Sequence, residues 1–429
     1  MVVIKKFQTW AMVLCSLTTL TIAGCGGNGN PSSNGSQEVE FWTMQLQPKF
    51  NDYFTQLNQN FTQSHGNTEI LWVDVPWSAM ESKILTSVSA QTAPDVVNLN
   101  PSFASTLAGD GAWLDLDEQL SPESKSLYLP KVWKANVIDD VTFGLPWYIT
   151  TRVTFFNQEL LAQTSYQQPP QTFSELAAFA KELKEKTGKY ALFVSFVPGD
   201  SGEVLESLVQ MGVTLINDQE LAAFNSPEGK AAFQFWVDLY QQQLLPPEVL
   251  TQGHQEAIAL YQSGQVALLS AGPEFSNTIE TNAPQIAANS GVAPQITGNT
   301  KKKAVAVMNL VIPKDTDQPQ KALNYALFVT NDQNQLAFAK QAKVLPSTEK
   351  ALTQLITELS TEKSEGFTAA TLVSAKQLVD GEVLLPPIKN LNLLQKIIYE
   401  NLQQAMLGEK TVDQAIADAE TEWNNLVKK

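Results

Sequence analysis

Cysteine and histidine are scarce in this 429-residue chain. The two cysteines, Cys15 and Cys25, lie near the N-terminus, and the two histidines, His65 and His254, are far apart in sequence. Beyond residue 25 there is therefore no disulfide, no cysteine metal ligand and no cysteine nucleophile. Two distant histidines also argue against a histidine-rich metal site, and we expect both to lie in solvent-facing loops.

Arginine is rarer still, because only one of the 28 lysine and arginine residues is an arginine, Arg152. Aspartate and glutamate number 44, which gives the chain a formal net charge of −16. An acidic surface of this kind does not suit nucleic acid or direct binding to anionic lipid. We predict no nucleic-acid partner, no cofactor and no metal.

The N-terminus has the layout of an export signal. Lys5 and Lys6 precede an apolar run over about residues 10–22, which is short for a membrane-spanning helix. The Ile-Ala-Gly-Cys sequence that ends at Cys25 resembles the bacterial lipoprotein signal, in which the cysteine is lipidated; an ordinary secretory signal is the alternative. Residues 1–24 are then the signal peptide, and the Gly-, Ser- and Asn-rich segment 25–37 is a flexible tether.

Strands and helices alternate in the region that follows. Apolar and polar residues alternate over 38–42, an amphipathic pattern follows over 50–61, and the apolar stretch 69–75 predicts a second strand. A helix over about 77–90 and a strand at 95–99 complete the series. This order predicts an α/β fold with a parallel sheet covered on both faces, and a binding crevice beyond the carboxyl ends of its strands.

The second half of the chain shows similar signals. A helix is predicted over 171–188 with Gly188 just past its end, and strands are predicted at 264–275 and 301–315. A helix through Ala322, Tyr325 and Phe328 follows. Thr411 and Gln414 have the spacing of a capping box at the start of a last helix. The chain therefore has enough elements for two lobes, each with its own core.

Five stretches together resemble a known family. They are VEFWTM, an Ala-Pro-Asp followed by GDGAWLDL, GLPWYITTRVTFFNQELL, GQVALLSAGPEF, and IPKDTDQPQKALNYALFVTNDQNQLAFAKQAKVLPST. In this order and spacing they are similar to the extracellular solute-binding proteins of bacterial ABC importers, in the group that binds sugars and glycosides. The corresponding family segment often reads Pro-Trp-x-x-Asp-Thr-Arg, whereas Thr150 stands at the aspartate position here.

The resemblance implies a two-lobed periplasmic-binding-protein fold, with a mostly parallel sheet in each lobe and the ligand cleft between the lobes. Lobe 1 is expected to comprise residues 38–149 and 308–346, and lobe 2 residues 150–307 and 347–429. Three segments are expected to cross between them, near 148–151, 305–308 and 345–347. The stretch GLPWYITTRVTFF is then the first crossover, at the floor of the cleft.

This position suggests roles for the aromatic residues and the arginine of the first crossover. Trp147 and Tyr148 could stack on a sugar ring, and we expect part of the Trp147 ring to be open to solvent. Arg152 has two open interpretations. Its five-donor guanidinium could bind the ligand, or it could stabilise the hinge by pairing with backbone carbonyls and an acidic neighbour.

Other residues lie where the cleft is expected, and for each a structural role is the alternative. They belong to the strand ends of lobe 1, to the Gly-Pro-Glu-Phe loop and to the second crossover. The family often places an aromatic contact in that loop. The further ligand-binding candidates are Trp42, Thr43, Trp77, Asn98, Asn100, Glu274, Phe275 and Asn309.

The resemblance implies a lipid-anchored binding protein that closes over a carbohydrate and delivers it to the transmembrane subunits of a permease. It implies a monomer that faces the periplasm or the cell exterior, held to the membrane at Cys25, with no catalytic residues. Two alternatives stay open: a glycoside hydrolase with two carboxylates flanking the scissile bond, and a carbohydrate sensor or adhesin without a role in transport.

Overall fold

The computed structural model describes residues 38–138, 140–362, 369–385, 388 and 390–428, without the side chains of residues 101 and 102. Cys25, the signal peptide and the tether lie outside the described residues. Twelve strands occur in the described part: β1 (Glu38–Met44), β2 (Glu69–Val75), β3 (Val96–Leu99), β4 (Val137–Ile138), β5 (Val141–Thr142), β6 (Leu145–Thr151), β7 (Val153–Asn157), β8 (Leu268–Ala271), β9 (Ser290–Pro294), β10 (Lys303–Val311), β11 (Leu345–Pro346) and β12 (Gly381–Glu382).

Nineteen α-helices occur in the same part of the chain, and none is both long and apolar enough to cross a membrane. They are α1 (Asn51–Ser64), α2 (Trp77–Ser89), α3 (Pro101–Ala108), α4 (Leu116–Gln119), α5 (Pro122–Lys125), α6 (Pro130–Lys134), α7 (Gln158–Ala162), α8 (Phe173–Thr187), α9 (Glu203–Gln210), α10 (Pro227–Gln241), α11 (His254–Gln262), α12 (Ser276–Asn282), α13 (Pro284–Ala288), α14 (Pro319–Val329), α15 (Asp332–Ala342), α16 (Glu349–Thr361), α17 (Ala370–Gln377), α18 (Leu391–Met406) and α19 (Val412–Val427).

The helix signals of the sequence correspond to real helix ends. Thr172 and Thr411 each close a capping box, at the starts of α8 and α19. Gly188 ends α8 in the left-handed conformation at φ 72°, which a residue with a Cβ adopts only with strain. Pro48 precedes the first of these helices in a turn, and α1 begins at Asn51.

The larger sheet has the strand order β11-β6-β10-β3-β1-β2, with β12 attached to β10. β1 runs parallel to β2 and β3, as predicted, whereas β10 is antiparallel to both β3 and β6. Thr151 pairs with Val305, and Ile149 pairs with both Val307 and Leu345. The three segments that were predicted to cross between lobes are therefore neighbours in this sheet.

The second sheet differs from the prediction. It contains β8, β7 and β9, and β7 is antiparallel to both neighbours. An α/β lobe would use the buried apolar segment 190–196 as a parallel strand. That segment meets the sheet only at its start, where the carbonyls of Tyr190 and Ala191 accept from the backbone of Ala267 and Leu268. A mostly parallel sheet in this lobe is therefore wrong, although the α/β class is confirmed.

Two hydrophobic cores define two lobes. The first contains buried residues between 39 and 149 and between 305 and 355, together with Ala375 and Leu378. The second contains buried residues between 153 and 279 and between 388 and 423, together with Ala370. Ala351 and Leu355 of α16 belong to the first core, so we propose that the last lobe boundary lies after this helix instead of at residue 347.

Candidate functional site

A cleft edge forms where the lobes meet. β1, β2 and β3 are parallel, so their carboxyl ends and the segments that follow them open on one side of the first lobe. The Gly272–Phe275 segment approaches from the second lobe, because Ala271 pairs with Val153, directly after Arg152. Tyr148 faces this segment closely enough that the Glu274 carboxylate, after burial, raises the pKa of its hydroxyl.

Two hydrogen bonds join the lobes across this edge. The Lys343 ammonium, at the end of α15, donates to the Ser276 hydroxyl of α12 at 2.9 Å. The Asn392 amide of α18 donates to Glu81 Oε1 of α2, also at 2.9 Å. The lobes are therefore in contact at two places in this structure, between α15 and α12 and between α18 and α2.

Trp77 is the exposed aromatic residue of this edge. It is the first residue of α2, and its side chain is 41% exposed. Glu81 follows one helical turn later, so Trp77 and Glu81 share the helix face that meets the second lobe. An accessible indole beside an interlobe hydrogen bond can offer a flat apolar surface to a ligand in the cleft.

Glu274 contributes an unusual carboxylate to the same edge. Burial raises its pKa to about 7, although its own backbone N–H, Arg152 and Lys49 act in the opposite direction. Its Oε2 is buried and has no hydrogen-bond partner. A buried carboxylate oxygen without a donor is costly, which makes Glu274 a candidate for contact with a ligand.

Arg152 pairs with carboxylates of the second lobe. Its Nε lies 3.3 Å from Glu206 Oε2, its Nη1 lies 3.7 Å from Glu203 Oε2, and its Nη2 donates to the Ser201 hydroxyl at 3.2 Å. Burial raises the pKa of Glu206, and the guanidinium opposes that rise. The interpretation in which Arg152 pairs with an acidic neighbour thus describes its contacts here.

Several predicted site residues lie inside the first lobe. Trp147 is 0% exposed, so the expectation that part of its ring is open to solvent is wrong. Its indole stacks on Phe338 with ring centroids 4.8 Å apart. Trp42 is also buried, with its indole N–H donating to Glu40 Oε1 at 2.7 Å, and Thr43 donates to Asp74 Oδ1 at 2.7 Å.

The three predicted asparagines have partners within the first lobe. Asn98 is fully buried and donates to the Asn309 carbonyl at 3.3 Å, and the Asn309 amide donates to the Val307 carbonyl at 3.1 Å. Asn100 caps α3 by accepting from the Phe103 N–H at 2.8 Å. Ligand contacts for the buried residues Trp42, Thr43, Asn98, Trp147 and Asn309 stay predictions, since none of them presents a surface in this state.

His254 was missed as a site residue. It opens α11, is half-buried, and packs edge-on against Phe275 with centroids 5.9 Å apart. Burial, followed by the charge of Arg152, lowers its pKa to about 4, so it is neutral at pH 7. The loop prediction is therefore wrong for His254, whereas His65 lies in the turn that follows α1, where it is half-buried and stacks on Phe61 with ring centroids 4.2 Å apart.

Other cleft residues were missed because no motif marks them. Lys49, Glu81, Lys343 and Asn392 come together only through the fold; Lys49 alone could have been inferred, because it follows the end of β1. In the residues that the structure describes, no cluster of three or more histidine, cysteine or acidic side chains could hold a metal ion.

The sequence and the fold are both similar to those of known proteins. Residues 45–336 match the family described as bacterial extracellular solute-binding protein. A solved periplasmic-binding protein of Synechococcus sp. MITs9220, assigned to oligosaccharides and crystallised with zinc, is 44% identical; the alignment covers 91% of this chain and 99% of that one, with a TM-score of 0.86.

More distant curated relatives cover most of the chain. The mannitol-binding protein of Pseudomonas aeruginosa is 23% identical, over 85% of this chain and 87% of its own length. The galactooligosaccharide-binding protein of Bacillus subtilis is 22% identical, over 84% of each chain. The family match spans more than half of the sequence, and the two-lobed α/β fold agrees with it. This chain belongs to the bacterial extracellular solute-binding protein family.

Proposed function

We propose that this protein captures a carbohydrate in the interlobe cleft and delivers it to the transmembrane subunits of an ABC importer. The observation that carries the proposal is the exposed indole of Trp77 at the cleft edge, opposite hydrogen-bonding groups of the second lobe. Sugars present apolar C–H faces and a rim of hydroxyl groups, and an aromatic surface with nearby polar side chains complements both. The relatives named for mannitol and galactooligosaccharide support this ligand class.

We infer that the protein captures its ligand by closing the two lobes about the first crossover. A ligand that contacts both lobes stabilises the closed state more than the open state, and so shifts the equilibrium toward closure. Buried side chains of α17 hold the first crossover: Ser374 shares a hydrogen bond with the Thr151 hydroxyl at 2.7 Å, and Gln377 donates to the Arg152 carbonyl at 2.6 Å. These contacts support the proposal that the lobes move about this segment.

A hydrolytic role is less well supported. A glycosidase needs two carboxylates on opposite sides of a bond, one of them free to transfer a proton. Glu203 and Glu206 are both engaged by Arg152, and Glu274 is the carboxylate at the cleft edge with an unpartnered oxygen. We infer that binding, without turnover of a glycoside, is the activity of this cleft.

A screen of carbohydrates against the purified protein tests the proposal. We expect at least one of mannitol, tagatose, galactobiose and maltotriose to raise the melting temperature at millimolar concentration, because a ligand that binds only the folded state stabilises it. Trimethylamine N-oxide at the same molar concentration controls for non-specific stabilisation by a neutral solute. An unchanged melting temperature with every sugar would contradict the proposal.

We also propose that Cys25 carries a lipid that anchors the domain outside the cytoplasm, through the tether 25–37. The Ile-Ala-Gly-Cys sequence and the export-signal layout support this location. In cells, Cys25→Ser is expected to move the protein from the membrane pellet to the soluble fraction, with Cys15→Ser as the control. A Cys25→Ser protein that stays entirely with membranes would argue against the lipid.

A further inference from the structure

The Glu274 carboxylate lies against the backbone of its own loop. It folds back toward its own N–H, which lowers its pKa against the larger effect of burial. A Cβ on Gly272 would lie 2.1 Å from Glu274 Oε2 and 2.2 Å from Oε1. The carboxylate therefore occupies the space that any side chain at residue 272 would fill.

Gly272 is not required by its backbone geometry. Its φ of −75° and ψ of 158° are extended values that any residue adopts. The absence of a side chain matters here only because the carboxylate lies over the Cα. Substitution of Gly272 thus offers a way to displace the carboxylate without removing its charge.

The surroundings leave Oε2 without a donor. Tyr148 faces the carboxylate from the crossover, yet no hydrogen bond reaches the buried Oε2. Lys49 acts on it from the first lobe and Arg152 from the second, each as a charge and not as a hydrogen-bond donor to this oxygen. Arg152 is already engaged by Glu203 and Glu206. Within the described residues, no group donates a hydrogen bond to Oε2, so this oxygen is available to a donor from a ligand.

We propose that Glu274 is a specificity-determining residue whose Oε2 accepts a hydrogen bond from a hydroxyl group of the bound carbohydrate. The inference rests on the proposed function and refines it. A ligand that lacks a donor at this place leaves the oxygen desolvated and unpaired, and an anionic ligand is repelled by the carboxylate. The two cationic side chains nearby favour a neutral hydroxyl over an ammonium group as the donor.

The hydrogen bond to Glu274 couples ligand binding to the protonation state of this carboxylate. A hydroxyl that donates to the carboxylate stabilises its ionised form, so the pKa of Glu274 falls when the ligand binds. Binding then releases a proton below the free-state value of about 7. Affinity is expected to rise with pH up to that value and to be constant above it.

The test measures affinity by calorimetry at pH 5.5 and pH 8.0, using whichever of mannitol, galactobiose and maltotriose gives the largest thermal shift. For the unaltered protein we expect affinity on the order of tenfold to thirtyfold higher at pH 8.0, if the ligand restores an ordinary carboxyl pKa. Glu274→Gln and Gly272→Ala are both expected to bind more weakly at pH 8.0 and to lose most of this pH dependence. Glu118→Gln, at an exposed glutamate of α4, should keep it.

A ligand-free measurement accompanies the titrations. The raised pKa favours the protonated form in the folded state, so Glu274 stabilises the fold fully below its ordinary value of 4.5, and that stabilisation is lost as pH rises through about 7. Glu274→Gln is therefore expected to melt at a higher temperature than the unaltered protein at pH 8.0, and at a similar temperature at pH 4.5.

The possible results of these measurements bear on the role of Glu274 as follows. Equal affinity at both pH values in the unaltered protein, or an unchanged pH dependence in Glu274→Gln or Gly272→Ala, overturns the inference and leaves the proposed function in place. A melting difference without an affinity difference shows that Glu274 is buried but does not contact the sugar, and also overturns it. If none of the three sugars binds, the proposed carbohydrate ligand is contradicted and the inference falls with it.

Discussion

Trp147→Ala is expected to lower the free energy of unfolding by about 3–5 kcal/mol, the usual range for truncating a large buried aromatic residue. The Trp147 ring is fully buried among Phe41, Phe54 and Phe338, with the ring centroid of Phe338 4.8 Å away. Removing it leaves a cavity that these rings cannot fill. Denaturant unfolding at 25 °C, compared with the unaltered protein, measures the loss.

A second substitution at the same position separates the contribution of ring packing to stability from the contribution of the indole N–H. Trp147 Nε1 is buried and has no hydrogen-bond partner, so Trp147→Phe deletes an unsatisfied donor and keeps most of the ring. We expect it to cost much less than Trp147→Ala. A Trp147→Ala protein as stable as the unaltered one would show that the ring is not part of the core.

The sequence around Trp147 does not show that this side chain is buried, which is why its ring was predicted to be partly open to solvent. In β6 every residue from Leu145 to Ile149 is buried, so the alternation that marks a half-exposed strand is missing. β6 lies between β10 and β11, the strands that contain the other two predicted crossovers. Sequence alone gives no sign of which face of a doubly covered strand meets the cleft.

The partners of Arg152 illustrate a different limit of prediction from the sequence. Glu203 and Glu206 are about fifty residues away in sequence and meet Arg152 only through the fold. Their spacing on α9 did carry a signal, since residues three apart share one helix face. A solitary arginine facing two such glutamates could have been proposed, but no local pattern selects this glutamate pair over the others.

Several helix and strand boundaries followed from the sequence because their signals are local. Alternation gave β1, an apolar stretch gave β2, and a capping box gave the start of α19. Strand direction in the second lobe depends instead on how distant segments pair. The family resemblance implied parallel strands there, and the antiparallel pairs of β7 contradict that expectation.

Trp77→Ala is expected to have the largest effect on ligand affinity of any substitution in the first lobe. The side chain is already 41% exposed, so its removal should change the free energy of unfolding by less than about 1 kcal/mol. If the ring supports a sugar, its loss should weaken binding about a hundredfold, which corresponds to about 2.7 kcal/mol. Trp147→Ala is expected to show the opposite pattern, in which the main effect is on the free energy of unfolding and not on ligand affinity.

The most direct test is a calorimetric titration of the unaltered protein, Trp77→Ala and Leu71→Ala with the sugar that gives the largest thermal shift. Leu71 is a matched control, because it is an apolar residue of the first lobe that is 44% exposed and lies on β2, outside the cleft edge. Carbohydrate capture at this cleft predicts an affinity loss of about a hundredfold for Trp77→Ala and an unchanged affinity for Leu71→Ala. Equal affinity of all three proteins for the sugar would contradict it.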